Sequence, residues 1–163
     1  AVEAVILALK RAGGVAAALV EVGGEIRAYG RKPDGNAWQV LVEAEPDLET
    51  PVAQLPPRVL ALEDAAVATS GDRWHHFEHA GQRYSHTFDP RSGAPVHQAA
   101  AAVTVVAADA MHADAWATAL TVMGAEAGLH FAGEHGLAAR FVSRTPTGPV
   151  ETMTPAFRRH LAA

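Results

Sequence analysis

The stretch that decides the fold is VTVVAADAMHADAWATALTVMG, residues 103–124, in which the hydrophobic pattern changes its period. Its first part, Val103 to Ala107, is rich in β-branched residues and predicts a central strand. From Ala110 to Met123 the pattern is helical, and Gly124 is a typical residue for ending a helix. The stretch therefore predicts a buried strand that is followed directly by a helix.

This helix carries two different faces when its residues are placed on a helical wheel. Trp116, Leu120 and Met123 recur at i, i+4 and i+7, and they predict the buried stripe. Asp114 and Thr118 lie one turn apart on another face, and Thr121 continues their row. Exposed helix faces usually carry Glu, Lys or Gln, which are better helix formers than Asp or Thr.

Two interpretations of the Asp114–Thr118 pair follow from this spacing. A carboxylate and a hydroxyl one turn apart are hard oxygen donors of the kind that Mg²⁺ prefers, although further ligands must complete the shell. Alternatively, the helix dipole favours Asp114 near the N-terminus, and Thr118 hydrogen-bonds its own backbone. Spacing alone leaves both interpretations open.

Composition limits the class of protein. The chain has 163 residues, of which 49% are hydrophobic, and this is enough for one domain with a real core. Its 18 acidic and 13 basic residues give a formal net charge of −5. No run of Lys or Arg forms a stripe, which argues against a nucleic acid as partner. The longest apolar run, residues 99–108, is about half of what a membrane span needs.

The remaining pattern predicts strands interleaved with helices, and therefore an α/β or α+β fold. The first segment, AVEAVILALKRAGG, predicts an amphipathic helix that ends at Gly13-Gly14. Val15 to Val22 predicts a buried strand. Ala80-Gly81-Gln82 predicts the turn of a hairpin, and Ala138 to Ser143 predicts another strand before a Pro- and Thr-rich end.

Three glycine-containing segments are further candidates. Gly23-Gly24 suits either a close backbone approach to a ligand or a β-bulge, and the sequence favours the bulge. Thr69-Ser70-Gly71-Asp72 offers hydroxyls and backbone amides in a tight turn that suits an anion, although most such turns bind nothing. Asp89 precedes Pro90, and we expect its carboxylate to cap the amides of the turn 91–93.

Five segments occur in an order that resembles the ApbE family, the FAD:protein FMN transferases. They are VEVGGEIRAYG (20–30), DGNAW (34–38), ATSGD (68–72), GQRYSHTFDPRSGAPV (81–96) and the stretch 103–124. The resemblance implies a T-fold-like α/β architecture with a mixed or antiparallel sheet and packed helices. It also implies Mg²⁺-dependent transfer of FMN from FAD to a threonine hydroxyl of a flavoprotein, such as a subunit of a redox pump or reductase, with release of AMP.

The same resemblance assigns site residues. It implies that Asp114 and Thr118 hold the metal, with a contribution from the backbone oxygen of Ala117. It implies FAD contacts from two groups of residues, namely Gly23, Gly24, Ser70 and Gly71 in one group and His86, Thr87 and Phe88 in the other. His86 is also a candidate base for the acceptor hydroxyl. Members of the family are typically exported and lipid-anchored, so we expect a periplasmic location.

The resemblance covers only the C-terminal half of such proteins. Residues 1–163 are therefore expected to form the C-terminal portion of the flavin transferase domain, and the N-terminal half is expected in cis or as a second chain. Two alternatives remain from the residues and the family: a metal-dependent FAD pyrophosphatase that gives FMN and AMP, and a non-catalytic flavin-binding or interaction fragment.

Overall fold

The computed structural model describes residues 1–42, 55–71, 76–96 and 101–162. Its helices are α1 (Val2–Ala12), α2 (Ala110–Met123), α3 (Ala125–Glu134) and α4 (Pro155–Arg158). Its strands are β1 (Ala18–Val22), β2 (Glu25–Tyr29), β3 (Trp38–Val42), β4 (Arg58–Leu62), β5 (Ala66–Gly71), β6 (His76–His79), β7 (Gln82–Ser85), β8 (Phe88–Asp89), β9 (Ala94–Pro95), β10 (Ala102–Ala107), β11 (Ala138–Thr145) and β12 (Gly148–Met153).

A six-stranded antiparallel sheet forms the centre of the molecule, in the order β1-β2-β5-β10-β11-β12. Strand β10 pairs with β5 on one side and β11 on the other, which confirms it as a central strand. All of its residues from Ala102 to Val106 are buried, because both faces of the sheet are covered. An antiparallel sheet with packed helices confirms the predicted fold class.

The two faces of this sheet are covered differently. Helices α2 and α3 pack on one face around Leu120 and Phe141, and α1 joins them through Val2. The ribbon β3–β4 and the short helix α4 cover the other face, where Leu60 and Phe157 are fully buried. The described helices include none with the length and the apolar character that crossing a bilayer requires.

Strand β1 differs from the prediction. The segment was expected to be a buried strand, but residues 18–22 are half-buried or exposed. The reason is topological: β1 lies at the edge of the sheet and pairs only with β2 among the described strands. Small apolar residues fit an edge strand as well as a central one, so the local pattern could not distinguish the two.

Helix α2 has the predicted bounds, but part of its predicted buried stripe is wrong. Leu120 is fully buried, whereas Met123 is 37% exposed and Trp116 is only partly buried. The buried face consists mostly of small residues, namely Ala110, Ala113, Ala117, Leu120 and Thr121. Alanines let the helix approach β5 and β10 closely, so the largest side chains do not mark the buried face.

The Pro- and Thr-rich end forms regular structure that was not predicted. Strand β12 pairs with β11, and α4 follows it with Pro155 in its first turn. The hydroxyl oxygen of Thr154 caps α4 by accepting a hydrogen bond from the amide of Phe157 at 3.2 Å. The chain then runs back to β4, where the amide of Ala61 donates to the carbonyl of His160. This segment therefore connects the ribbon β3–β4 to the main sheet by hydrogen bonds.

Candidate functional site

Helix α2 begins and ends at well-defined caps. The carboxylate of Asp109 accepts a hydrogen bond from the amide of His112 at 2.9 Å, and this bond, with the His112 side chain, lowers the pKa of Asp109. At the other end, the amide of Gly124 donates to the carbonyls of Leu120 and Thr121. The positions of Asp114 and Thr118 in the middle of the helix are therefore fixed by the backbone.

Asp114 and Thr118 are both exposed on the same side of α2, one turn apart. Among the described residues, neither side chain has a hydrogen-bond or ion-pair partner. The structural alternative required Thr118 to bond its own backbone, and this bond is not formed. Thr121 makes a bond of that kind instead, from its hydroxyl to the carbonyl of Ala117 at 2.8 Å. Two open, hard oxygen donors fit a divalent cation such as Mg²⁺.

The geometry does not favour Ala117 as a third donor from this helix. Its residue is fully buried, and its carbonyl oxygen already accepts the hydroxyl of Thr121. Thr121 itself is only 1% exposed and does not extend the open Asp114–Thr118 row. The cation would therefore be held from α2 by two side chains, with its remaining ligands from elsewhere.

Gly23 and Gly24 form a tight turn and not the β-bulge that the sequence favoured. Val22 and Glu25 pair directly across the hairpin β1–β2, so the two glycines are its central residues. Their φ values of 68° and 99° lie in the left-handed region, which suits the turn types of two-residue hairpins. The amide of Gly24 donates to the carboxylate of Glu21 at 3.1 Å.

Ser70 and Gly71 are strand residues of β5 that pair with Val103 and Ala102 of β10, so the tight turn expected for them is wrong. They end β5 at the same end of the sheet as the Gly23–Gly24 turn. The register shows this, because Ile26 pairs with Val67 and the strands are antiparallel. A Cβ at Gly71 would lie 2.6 Å from the carbonyl oxygen of Ala101, so packing alone requires glycine there. The next residue of this motif, Asp72, lies outside the described residues.

Phe88 begins a separate small hairpin, β8–β9, which does not belong to the six-stranded sheet, and His86 and Thr87 form the link between β7 and this hairpin. The strand β7 ends at Ser85, whose hydroxyl accepts the amide of Thr87 at 3.1 Å. Phe88 is 57% exposed, and His86 is also exposed. The segment 86–88 therefore presents an aromatic ring and an imidazole outside the protein core.

Asp89 fixes the turn that follows, as the sequence predicted. Its carboxylate accepts the amide of Arg91 at 2.9 Å and also pairs with the guanidinium of Arg91. The Arg91 side chain and amide lower the pKa of Asp89. The carbonyl of Asp89 accepts the amide of Gly93 at 2.8 Å, which closes the turn. Asp89 is therefore a turn residue in this structure.

Sequence reasoning missed a contact at the start of α2. The carboxylate of Glu3 on α1 accepts the amide of Ala110 at 2.9 Å. The same Glu3 oxygen lies 3.3 Å from Nε of Arg27 on β2, whose side chain is 9% exposed. No local pattern indicates this contact, because Glu3 and Ala110 are 107 positions apart.

Comparison with known proteins decides the family. The sequence profile of the ApbE family matches residues 1–141. This chain belongs to the ApbE family. It is 36% identical to the FAD:protein FMN transferase of Haemophilus influenzae over 141 residues, which are 86% of this chain and 40% of that protein. The corresponding protein of Vibrio cholerae is 36% identical over 144 residues, 88% of this chain and 42% of that protein.

Solved structures of this family share the fold. The apo form of the flavinyl transferase ApbE of Pseudomonas stutzeri superposes with a TM-score of 0.82 at 46% identity, covering 99% of this chain and 48% of that chain. The flavin transferase ApbE of Vibrio cholerae gives a TM-score of 0.81 at 33% identity, covering 98% of this chain and 49% of that chain. The chain thus spans less than half the length of these relatives.

Proposed function

We propose that the protein containing this chain transfers FMN from FAD to a threonine hydroxyl of an acceptor flavoprotein, with Mg²⁺ as cofactor. The observation that carries the proposal is the open Asp114–Thr118 pair, whose two hard oxygen donors have no partner among the described residues. The pair lies on a capped helix, in a chain whose relatives are FAD:protein FMN transferases. A location outside the cytoplasm is part of the same proposal.

The reaction is the displacement of AMP at phosphorus. The oxygen of the acceptor threonine forms a bond to the FMN phosphorus of FAD, and the bond from that phosphorus to the AMP phosphate breaks. A bound Mg²⁺ would neutralise charge on the pyrophosphate. Asp114 and Thr118 would hold the ion from α2 and so orient the pyrophosphate. The proton of the acceptor hydroxyl needs a base, and we assign this role to His86.

The flavin contacts are proposed for two groups of residues. His86, Thr87 and Phe88 form the first group, and the exposed ring of Phe88 suits a stacking contact with an aromatic ligand. The two glycines of the β1–β2 turn and the end of β5 form the second group, namely Gly23, Gly24, Ser70 and Gly71. These four residues lie at one end of the sheet, where Gly23 and Gly24 are exposed and Ser70 and Gly71 are half-buried.

Substitution of the metal pair tests the proposal. Asp114→Asn in the complete protein should lower Mg²⁺-dependent transfer at least ~100-fold, because a neutral amide is a weak ligand for Mg²⁺. The melting temperature should change little, because Asp114 is exposed. Glu126→Gln is the matched control: it removes an exposed carboxylate from α3. Undiminished transfer by Asp114→Asn would remove this residue from the site.

The products separate this function from its alternatives. Incubation with FAD, Mg²⁺ and a threonine-bearing acceptor should yield covalently flavinylated acceptor and AMP, detected by in-gel flavin fluorescence and chromatography. Free FMN without labelled acceptor would support the pyrophosphatase. FAD binding without any turnover would support a non-catalytic flavin-binding module.

A further inference from the structure

A polar link joins α1 to the first turn of α2. The carboxylate of Glu3 accepts the amide of Ala110, which is the first residue of the helix and has no acceptor within the helix. The guanidinium of Arg27 lies beside the same carboxylate oxygen, and Arg27 is 8% exposed as a residue. Glu3 thus lies between a buried cation and the N-terminus of α2.

The position of this link relative to Asp114 and Thr118 is the important feature. Ala110, Asp114 and Thr118 follow one another at i, i+4 and i+8, so they form one row along the helix. Side chains in a helix lean towards its N-terminus. The carboxylate of Asp114 therefore leans towards the turn that Glu3 holds, about 6 Å away along the axis.

Apolar packing at this junction is a weak determinant of the helix position. The buried residues that join α1, β5 and α2 are mostly alanines: Val2, Ala66, Ala68, Ala110 and Ala113. Surfaces built from methyl groups interlock little, so they resist sliding of a helix less than large side chains do. At this junction, a directional hydrogen bond with ionic support constrains the first turn of α2 more than these methyl groups do.

We propose that Glu3, held by Arg27, is a positioning residue that sets the place of the Asp114–Thr118 pair relative to α1. This inference rests on the proposed metal role of that pair. Glu3 is not assigned as a ligand, because its Oε1 already accepts the amide of Ala110 and lies against a cation. Its effect on the metal is transmitted through the backbone of α2.

Metal binding by variants of the protein at its full natural length tests the inference. Mn²⁺, titrated in place of Mg²⁺ and followed by electron paramagnetic resonance of the free ion, gives the affinity without turnover. Glu3→Ala should weaken Mn²⁺ binding about 10–100-fold, as loss of groups that orient ligands does. Glu3→Gln keeps an oxygen that can accept the amide of Ala110, so this variant should lose less Mn²⁺ affinity than Glu3→Ala.

Hydrogen exchange and a matched variant distinguish positioning from general stability. Glu3→Ala should accelerate amide exchange in the first turn of α2, residues 110–113. Glu151→Gln removes a carboxylate between two arginines on the opposite face of the sheet. It should destabilise the fold and still bind Mn²⁺ with wild-type affinity, with unchanged exchange at 110–113.

The outcomes are separable. The positioning role is wrong if Glu3→Ala binds Mn²⁺ like the wild type while Asp114→Asn does not. It is also wrong if Glu151→Gln loses as much affinity as Glu3→Ala, since a loss of stability alone would then explain both. If the wild type and Asp114→Asn bind Mn²⁺ equally, the proposed metal site itself fails, and the role of Glu3 fails with it.

Discussion

Loss of the Glu151 carboxylate should destabilise this fold, because it joins three strands. Its carboxylate on β12 accepts Nε of Arg140 at 2.6 Å and Nε of Arg58 at 3.1 and 3.2 Å, with a further contact to the Arg58 terminal nitrogen. The exposed fractions of the side chains are 8% for Glu151, 0% for Arg140 and 33% for Arg58. The three residues join β4, β11 and β12.

The size of the effect follows from this geometry. Removing one partner of a buried ion pair costs about 3–5 kcal/mol, because the other charge loses its compensation. Glu151→Gln retains one oxygen acceptor, and Arg58 is partly solvated, so we expect the lower end, about 3 kcal/mol. For a chain of this size, each kcal/mol lowers the melting temperature by about 2–4 °C. The expected decrease is therefore about 6–12 °C.

Urea and thermal unfolding at pH 7 measure this difference. Glu63→Gln is the control, because it breaks the exposed pair of Glu63 with Arg31, whose side chains are 40% and 54% exposed. An exposed pair contributes about 0–1 kcal/mol. A loss below about 1 kcal/mol for Glu151→Gln would refute the reasoning, and so would equal losses for the two variants.

The effect of Glu151 should also depend on pH. Burial raises the pKa of Glu151, but hydrogen bonds from Arg58 and Arg140 outweigh it, so the pKa is lowered overall. A lowered folded-state pKa means that the stabilisation is present above the unfolded pKa of about 4.3 and is lost as the pH falls through the folded-state value. The difference between the wild type and Glu151→Gln should therefore shrink below about pH 4.

Two further substitutions test the C-terminal segment. Thr154→Ala should lower the free energy of unfolding in urea by about 2–3 kcal/mol. The Thr154 hydroxyl caps α4, accepts the amide of Ala139 at 3.1 Å and donates to the carbonyl of Leu137 at 2.8 Å. A loss under about 0.5 kcal/mol would contradict this. Phe157→Ala should cost about 3–5 kcal/mol, because Phe157 is fully buried between β3–β4 and the main sheet; an unchanged unfolding midpoint would show that α4 is not part of the cooperative core.

Local signals predicted the elements that local chemistry determines. Helix α1 ends at Gly13 as expected, with a φ of 71°. The hairpin β6–β7 turns at Ala80 and Gly81, both with positive φ. The bounds of α2 and its stop at Gly124 are also as predicted. In each case one residue type carries a strong backbone preference, which the sequence displays directly.

The C-terminal segment was missed because its stability depends on distant partners. Glu151 and Arg140 are charged residues that are buried as a pair, and Glu151 also contacts Arg58, which lies 93 positions away from it. A local signal for α4 was nevertheless present. Thr154 followed by Pro155 is a typical helix start, with a capping hydroxyl and a proline in the first turn.

In the candidate site, too, local spacing predicted some features, while others depend on distant contacts. The i, i+4 spacing of Asp114 and Thr118 was sufficient to place them on one exposed face. The role of Gly71 was ambiguous, because the approach of the Ala101 carbonyl depends on the pairing of β5 with β10. The link from Glu3 to Ala110 depends on how α1 crosses the sheet, and no pattern within either helix indicates it.

The construction of α2 explains why a metal pair would be carried by this helix. Its start is held by Asp109 and Glu3, its alanine face packs closely on β5 and β10, and its last turn is capped by the amide of Gly124. The backbone between these anchors has little freedom, while the Asp114 and Thr118 side chains remain open. Binding a cation would then order only a few side-chain bonds, which keeps the entropic cost low. It follows that metal affinity should respond more to the anchors of α2 than to the exposed residues beside the pair.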